Sequence, residues 1–314
     1  MLQRERIIVL GGLGFMGSHI CRELVRRGHS VRIFDKLYAS QELIDDFRTA
    51  VEVVEGDVSR PEDVLAAIAD ANIVINLIHT TVPGSSMNNP SYDVTSNVAA
   101  AANWLQHLGE TKVRKVFYLS SGGTVYGVPE VVPIAEDHPT NPVNSYGITK
   151  LAIEKYTAMY AGRVGIDYFL LRPSNIYGPD QHLNIGQGLI GVLANRALGG
   201  EHLEIWGTGE NLRDYLFIDD LVAGLMTLLS YQGPDRVFNL SSGQGHSILD
   251  IVSILRGKID SFPEVVHLAD RGFDVPVNVL DSSRMARETG WQPRVDLESG
   301  IERTINWIKS LGAK

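Results

Sequence analysis

Ile7-Ile8-Val9-Leu10-Gly11-Gly12-Leu13-Gly14-Phe15-Met16-Gly17 joins a short apolar run to a glycine-rich turn and then to a helical pattern. Four consecutive aliphatic residues read as a strand buried on both faces. Phe15–Gly28 reads as a helix ended by glycine. Glycines at 11, 14 and 17 let the backbone turn tightly, with Phe15 and Met16 opening the helix whose N-terminus faces an anion. The alternation continues outward. Val31–Phe34, Val51–Glu55, Ile73–Ile78, Val113–Leu119 and Asp167–Leu171 are strand-like, while Pro61–Ala69, Tyr92–Leu108 and Tyr146–Ala161 are helical. Such alternation argues a parallel sheet covered on both faces by helices.

After Pro173 the pattern loosens, and Arg213–Leu221 reads as strand and then helix. Ile301, Ile305 and Ile308 mark an amphipathic C-terminal helix whose apolar stripe is core packing. The expected architecture is α/β. A Rossmann-like, doubly wound domain takes residues 1–173 plus about 213–243, and a smaller α/β substrate-binding domain takes about 174–212 plus 244–314. The substrate is expected in the cleft between them, at the carboxyl ends of the strands.

The 314 residues are 44% apolar and 21% charged, with a net charge of −9. That balance argues against a nucleic-acid surface. Cys21 is the only cysteine, so no intrachain disulfide forms and a reducing, cytoplasmic setting is expected. Ile7–Leu10 is too short for the core of a signal peptide. No apolar run approaches the ~20 residues needed to span a bilayer.

Asp35 ends the second strand, where a carboxylate can bond both hydroxyls of a ribose. It would repel a 2′-phosphate, which favours NAD over NADP; Lys36 beside it works the other way. Asp57, in Gly56-Asp57-Val58, either meets the adenine amine or caps its own turn. The chemistry is read from Ser120-Ser121-Gly122-Gly123-Thr124-Val125-Tyr126-Gly127 and from Tyr146-Gly-Ile-Thr-Lys150. Tyr146 and Lys150 lie one turn apart on the same side of a helix. An ammonium near a phenol favours the phenolate, making a base suited to an alcohol proton.

These motifs, with Asn97, Arg172-Pro-Ser-Asn175-Ile-Tyr-Gly-Pro179, Arg213-Asp214-Tyr215 and Arg271-x-x-Asp274, resemble the extended short-chain dehydrogenase/reductase family. Within it the chain is similar to the nucleotide-sugar 4-epimerases. The resemblance implies tightly bound NAD, held around the glycine turn, Asp35, Lys36, Asp57, Val58, Thr80 and Asn97. Tyr146 would be the base. Lys150 would hold the nicotinamide ribose and lower the Tyr146 pKa. Thr80 and Thr81 would line the cofactor, with Asn97 behind the catalytic loop. Asn175, Arg213 and Arg271 would hold the substrate diphosphate, Trp206 would flank the uracil, and Asn278 would gate the sugar pocket. A homodimer through the helices near 92–108 and 146–161 is also implied.

The pattern departs from the family at Gly122, where many epimerases carry the Ser or Thr that orients the substrate. Ser121 is the first expectation for that role and Thr124 the alternative; the other reading of each is a cap on the loop's own amides. Dehydratases and decarboxylases of the family carry carboxylates in this loop, and this chain has none. Cys21 reads as a core thiol and His182 as a loop residue facing solvent, which sets aside a Cys/His reductase-epimerase. The expected reaction is 4-epimerisation of a UDP-hexose, UDP-Glc/UDP-Gal or UDP-GlcNAc/UDP-GalNAc. The alternatives are another nucleotide-sugar reaction (dehydration, decarboxylation or reduction) and a non-catalytic NAD-binding sensor or scaffold.

Overall fold

The computed structural model describes residues 4–36, 41–183, 188–269 and 275–312. Its largest sheet uses β1 (Arg6–Leu10), β2 (Ser30–Asp35), β3 (Val51–Glu55), β4 (Ile73–Asn76), β5 (Lys115–Leu119), β6 (Asp167–Pro173) and Val237–Leu240. From one edge the order is Val237–Leu240, β6, β5, β4, β1, β2, β3. The pairings among β1–β6 are all parallel. This is the doubly wound, Rossmann-like order expected from the alternation. Its direction of winding reverses between β1 and β4, so a crevice opens beyond their carboxyl ends. Ile7, Ile8, Val9 and Leu10 are fully buried, as a strand covered on both faces requires.

The helices on one face share a core with the sheet. Trp104 and Leu105 pack with Ile8, Leu10, Val74 and Tyr118. The segment expected as one helix over Tyr92–Leu108 is broken. It runs as Pro90–Asp93, a π-helical turn over Val94–Ala99 and an α-helix over Ala100–Leu105. Two helical segments were not expected: a 3₁₀ stretch, Gln41–Ala50, and a short helix, Pro83–Asn88.

The chain divides into two compact units. The first comprises residues 1–127, 140–172 and 226–238, and the second 128–139, 173–225 and 239–314. The expected boundaries are therefore shifted: 128–139, 173, 213–225 and 239–243 fall in the second unit. Strand pairing is the reason. Leu212–Phe217 pairs with Asn175–Tyr177, Gly245–His246 and Val277–Asn278, which makes it the central strand of the second unit's sheet. Ile134 bonds through its N–H to Val279 O, and Asn239 Nδ2 donates to Ile134 O and Asp281 O. Among the described residues no helix is long and apolar enough to cross a membrane.

Candidate active site

The first unit gathers its chemistry at the carboxyl ends of β1, β2, β4 and β5. A Cβ on Gly17 would stand 2.2 Å from Gly11 O and 2.7 Å from Gly12 Cα, so the helix Phe15–Arg26 can approach the strand only with glycine there. Gly14 differs: a Cβ there would meet nothing nearer than Gly11 O at 3.5 Å. Packing within the chain does not demand this glycine, and the open side suits a ligand's close approach. The helix has no side-chain cap at Gly14 and no acidic residue in its first turn. Its first amides, those of Phe15 and Met16 among them, therefore face an anion unopposed.

Asp35 stands at the end of β2. Its Oδ2 accepts from Leu13 N at 3.0 Å and its Oδ1 from Lys36 N at 2.8 Å. Burial nonetheless raises its pKa above the ordinary value. Lys36 Nζ lies 2.9 Å from Asp57 Oδ2, and Asp57 Oδ1 accepts from Ser59 N and Oγ. Asp57 is thus an ion-paired turn residue, and the Lys36 bond leads in bringing its pKa down to about 2. The Val58 side chain belongs to the core, so what it offers a ligand is backbone.

Beyond β4, Thr80 N donates to Asn97 Oδ1 at 2.8 Å, and Asn97 Nδ2 donates to Asp93 O and Oδ1. Asn97 sits in the π-helical turn and is buried, placed to hold the loop from behind. A π-helical turn inside a helix commonly marks a functional site.

The helix Ser145–Val164 carries Tyr146 and Lys150. Asn144 caps its N-terminus by accepting from Gly147 N at 2.8 Å, and Gly165 ends it in the left-handed conformation. A Cβ on Gly147 would lie 2.7 Å from Thr124 O, so this glycine lets the helix rest directly on the Ser120–Thr124 loop. Tyr146 N donates to Ser86 Oγ, which brings the unforeseen helix Pro83–Asn88 against the start of the helix that carries Tyr146. Gly147 and Ser86 were missed. Gly147 lies in the Tyr-Gly-x-x-Lys string and could have been singled out there; nothing local points to Ser86.

Lys150 Nζ donates to Leu119 O at 2.8 Å and stands 5.7 Å from the centre of the Tyr146 ring. Burial pushes its pKa down to about 7. Burial, and then the charge of Asp93, raises the Tyr146 pKa. The expected lowering of the phenol by Lys150 is therefore not a property of the protein alone. Desolvation outweighs a lysine that is itself losing charge.

Four buried polar atoms at this end of the sheet have no hydrogen-bond partner: Tyr118 Oη, Ser120 Oγ, Thr124 Oγ1 and His79 Nδ1. Buried polar groups usually find a partner in the protein, in ordered water or in a ligand, and the clustering of these four beside the Tyr146 helix suits a ligand. Ser121 is half-buried, and its carbonyl accepts from Thr124 N and Val125 N. The open approach at Gly14, the uncapped helix, the Asp35 carboxylate and these orphaned atoms together fit a dinucleotide. Cys21 is fully buried and His182 exposed, as expected. Among the described residues no group of His, Cys, Asp or Glu is arranged to hold a metal ion.

In the second unit Asn175 pairs with Tyr215, and Asn278 with Arg213. The period of two then puts Asn175, Arg213, Tyr215 and Asn278 on one face of the sheet. Asn175 Nδ2 donates to Asp214 O, and Arg213 Nη1 to Leu212 O. Asp214, on the opposite face, is buried; Ser242 N and Oγ and Gly243 N donate to its carboxylate. Asn278 is buried in a strand, not in a loop. Trp206 ends a strand of a separate two-stranded sheet and is 43% exposed. Arg271 lies outside the described residues.

Comparison with known proteins agrees with this geometry. Residues 7–241 match the NAD dependent epimerase/dehydratase family. The chain is 31% identical over 306 residues to a putative UDP-glucose 4-epimerase of Methanocaldococcus jannaschii, covering 97% of this chain and 98% of that one. It is also 31% identical to a dTDP-4-dehydro-6-deoxyglucose reductase of Escherichia coli, covering 98% of each. The solved UDP-glucose 4-epimerase of Thermus thermophilus in complex with NAD superposes with a TM-score of 0.89 at 27% identity, covering 97% of this chain and 99% of that one. A matched fold, a dinucleotide-shaped turn and a Tyr–Lys pair on one helix lead to one assignment: the chain belongs to the NAD dependent epimerase/dehydratase family, with NAD as its cofactor.

Proposed function

We propose that this protein is a UDP-hexose 4-epimerase. The observation that carries the proposal is the Tyr146–Lys150 pair beside a loop, Ser120-Ser121-Gly122-Gly123-Thr124, that offers hydroxyls and no carboxylate. Elimination of water or loss of CO₂ calls for an acid or base beside the sugar that this loop does not supply. The similarity to a putative UDP-glucose 4-epimerase supports the same reaction.

The residues placed to hold the cofactor are those of the glycine turn, Asp35, Thr80 and Lys150, with Asn97 supporting from behind. When bound, NAD would supply the two-electron acceptor and donor of hydride for C4, and the charge of its oxidised form. Tyr146 takes the proton of the 4-hydroxyl and gives it back. Lys150 keeps the phenol oriented and contributes its charge once the site fills. Thr124 Oγ1, buried and without a partner, is the hydroxyl assigned to orient the sugar, with half-buried Ser121 the alternative. The sugar turns over between proton removal and return, so C4 inverts with no net oxidation. Asn175 and Arg213, with Arg271 from the sequence match, anchor the diphosphate, and Trp206 flanks the base. Charge-assisted bonds to the diphosphate hold that end while the sugar rotates. A nucleotide-sugar reaction suits the cytoplasmic setting expected from the lone cysteine.

The test is to incubate the purified protein with UDP-Glc, UDP-Gal, UDP-GlcNAc and UDP-GalNAc and resolve the products. The expected outcome is the 4-epimer of at least one; none from any of the four sinks the proposal. Tyr146→Phe should lower turnover by ~10²-fold or more while retaining the cofactor. Thr124→Val should lose about tenfold, the worth of one bond in a desolvated site, and Ser121→Ala less. The reverse order transfers the role to Ser121.

A further inference from the structure

Asp93 ends the helical turn Pro90–Asp93 and is fully buried. Its Oδ1 accepts from Thr81 Oγ1 and from Asn97 Nδ2, and lies 3.5 Å from His79 Nε2. Its Oδ2 accepts from Ser145 Oγ at 2.7 Å and from Thr149 Oγ1 at 3.2 Å. Burial alone would raise its pKa. Bonds from His79, Thr81 and Ser145 outweigh that and hold the carboxyl well below its usual range. The donors come from three places: the loop after β4 gives His79 and Thr81, the π-helical turn gives Asn97, and the first two turns of the Tyr146 helix give Ser145 and Thr149.

His79 closes the link to the base. Its ring meets that of Tyr146 edge-on, with centroids 4.5 Å apart and planes at 70°. Its side chain is 5% exposed. Burial, then the charge of Lys150, pushes the imidazole down to about 4 against the pull of Asp93, so it is neutral at pH 7. With Nε2 turned to Asp93 and Thr149, the hydrogen-bond network assigns the proton to Nε2. Nδ1 remains a buried acceptor without a partner. A phenylalanine would pack on Tyr146 as well and leave no orphan. An uncharged Asp93 would cost less to bury. Stability alone does not account for this pair.

We propose that His79 and Asp93 are positioning residues for Tyr146, locking its ring against the cofactor loop and keeping a negative charge beside it. The proposal rests on the reading of Tyr146 as the base. The groups facing Tyr146 are His79 from the loop after β4, Asp93 from Pro90–Asp93, Tyr118 from β5, and Lys150 from its own helix. Of these Asp93 is the negative one, and it raises the phenol's hold on its proton.

The holoenzyme tests this directly. Asp93→Asn removes the charge and should move the acid limb of the kcat/KM profile to lower pH by about half a unit or more. His79→Phe keeps the edge-on ring and loses the Nε2–H bond. It should lower kcat by about tenfold, with KM for the UDP-sugar nearly unchanged and NAD retained. An unmoved acid limb together with wild-type kcat in His79→Phe overturns the proposal. Imidazole ¹⁵N spectra, with His79 assigned by its disappearance in His79→Phe, give a readout independent of turnover. His79 should carry its proton on Nε2 and stay neutral to below pH 5 (~1.5 units under the free imidazole). A proton on Nδ1, or titration near the free value, overturns the proposal even if Asp93→Asn fails to fold. If the wild type epimerises no UDP-hexose while the spectra come out as expected, the functional reading fails and the His79–Asp93 arrangement stands.

Discussion

Lys150 shows at the scale of one residue what the site costs the fold. Its ammonium is buried and donates to Leu119 O, and burial brings its pKa to about 7 against an ordinary value near 10.4. Between those values the unfolded chain binds a proton at this position that the folded chain has released. Stability therefore gains from Lys150 as pH rises from about 7 towards ~10.4, and loses as pH falls back through 7. Lys150→Met should flatten that slope and leave the protein no less stable at neutral pH, while removing activity. Thermal melts across pH 6–10 (a window of roughly the shifted pKa and above) check it, and an unchanged slope counts against the buried ammonium. Tyr146, Lys150, Asp35 and the glycine turn were legible in the sequence because their meaning lies in local spacing. Asp93, His79 and Ser86 were not, because their partners are distant in the chain. Asp93 meets Ser145 across 52 residues, Ser86 meets Tyr146 across 60, and His79 meets Thr149 across 70.

Among the elements, the long parallel strands were legible and the short pieces that build the second unit were not. β1, β4 and β5 announce themselves through the apolar runs Ile7–Leu10, Ile73–Ile75 and Val116–Leu119. Gly245–His246 and Val277–Asn278 are two residues each, too short for any period to register. They nevertheless decide the unit boundary, because both pair with Leu212–Phe217. The pairing of Asn278 with Arg213 puts the expected sugar gate beside the expected diphosphate anchor. Asn278→Tyr adds a bulky ring at a buried strand position. It should lower turnover of UDP-GlcNAc more than that of UDP-Glc, by about tenfold, the scale at which pockets discriminate small groups. Competition between the two substrates measures the ratio, and an unchanged ratio removes Asn278 from the gate.

At the scale of the molecule, the first unit leaves apolar side chains in water along the helices expected to dimerise. Tyr92 is 52% exposed, Val94 46%, Ile148 53% and Met159 44%. We propose that these cover one another in a homodimer, since paired copies of one helical face make a self-complementary contact. Sedimentation velocity should give twice the chain mass for the wild type and a shift towards the monomer for Ile148→Glu; a monomeric wild type ends the idea. The π-helical turn over Val94–Ala99 carries a last consequence, for how this lineage can tolerate gain and loss of residues. Such a turn holds one residue more than an α-helix needs. Downstream, Trp104 and Leu105 are fixed in the core. Removing one exposed residue, Thr95, would let the helix close regularly. Everything upstream would then turn by about 100° and slide about 1.5 Å. Asp93 would leave its donors, and the helix beneath Tyr146 would lose its seat, while the sheet kept every strand. The seat of Tyr146 is encoded in chain length as well as in residue identity.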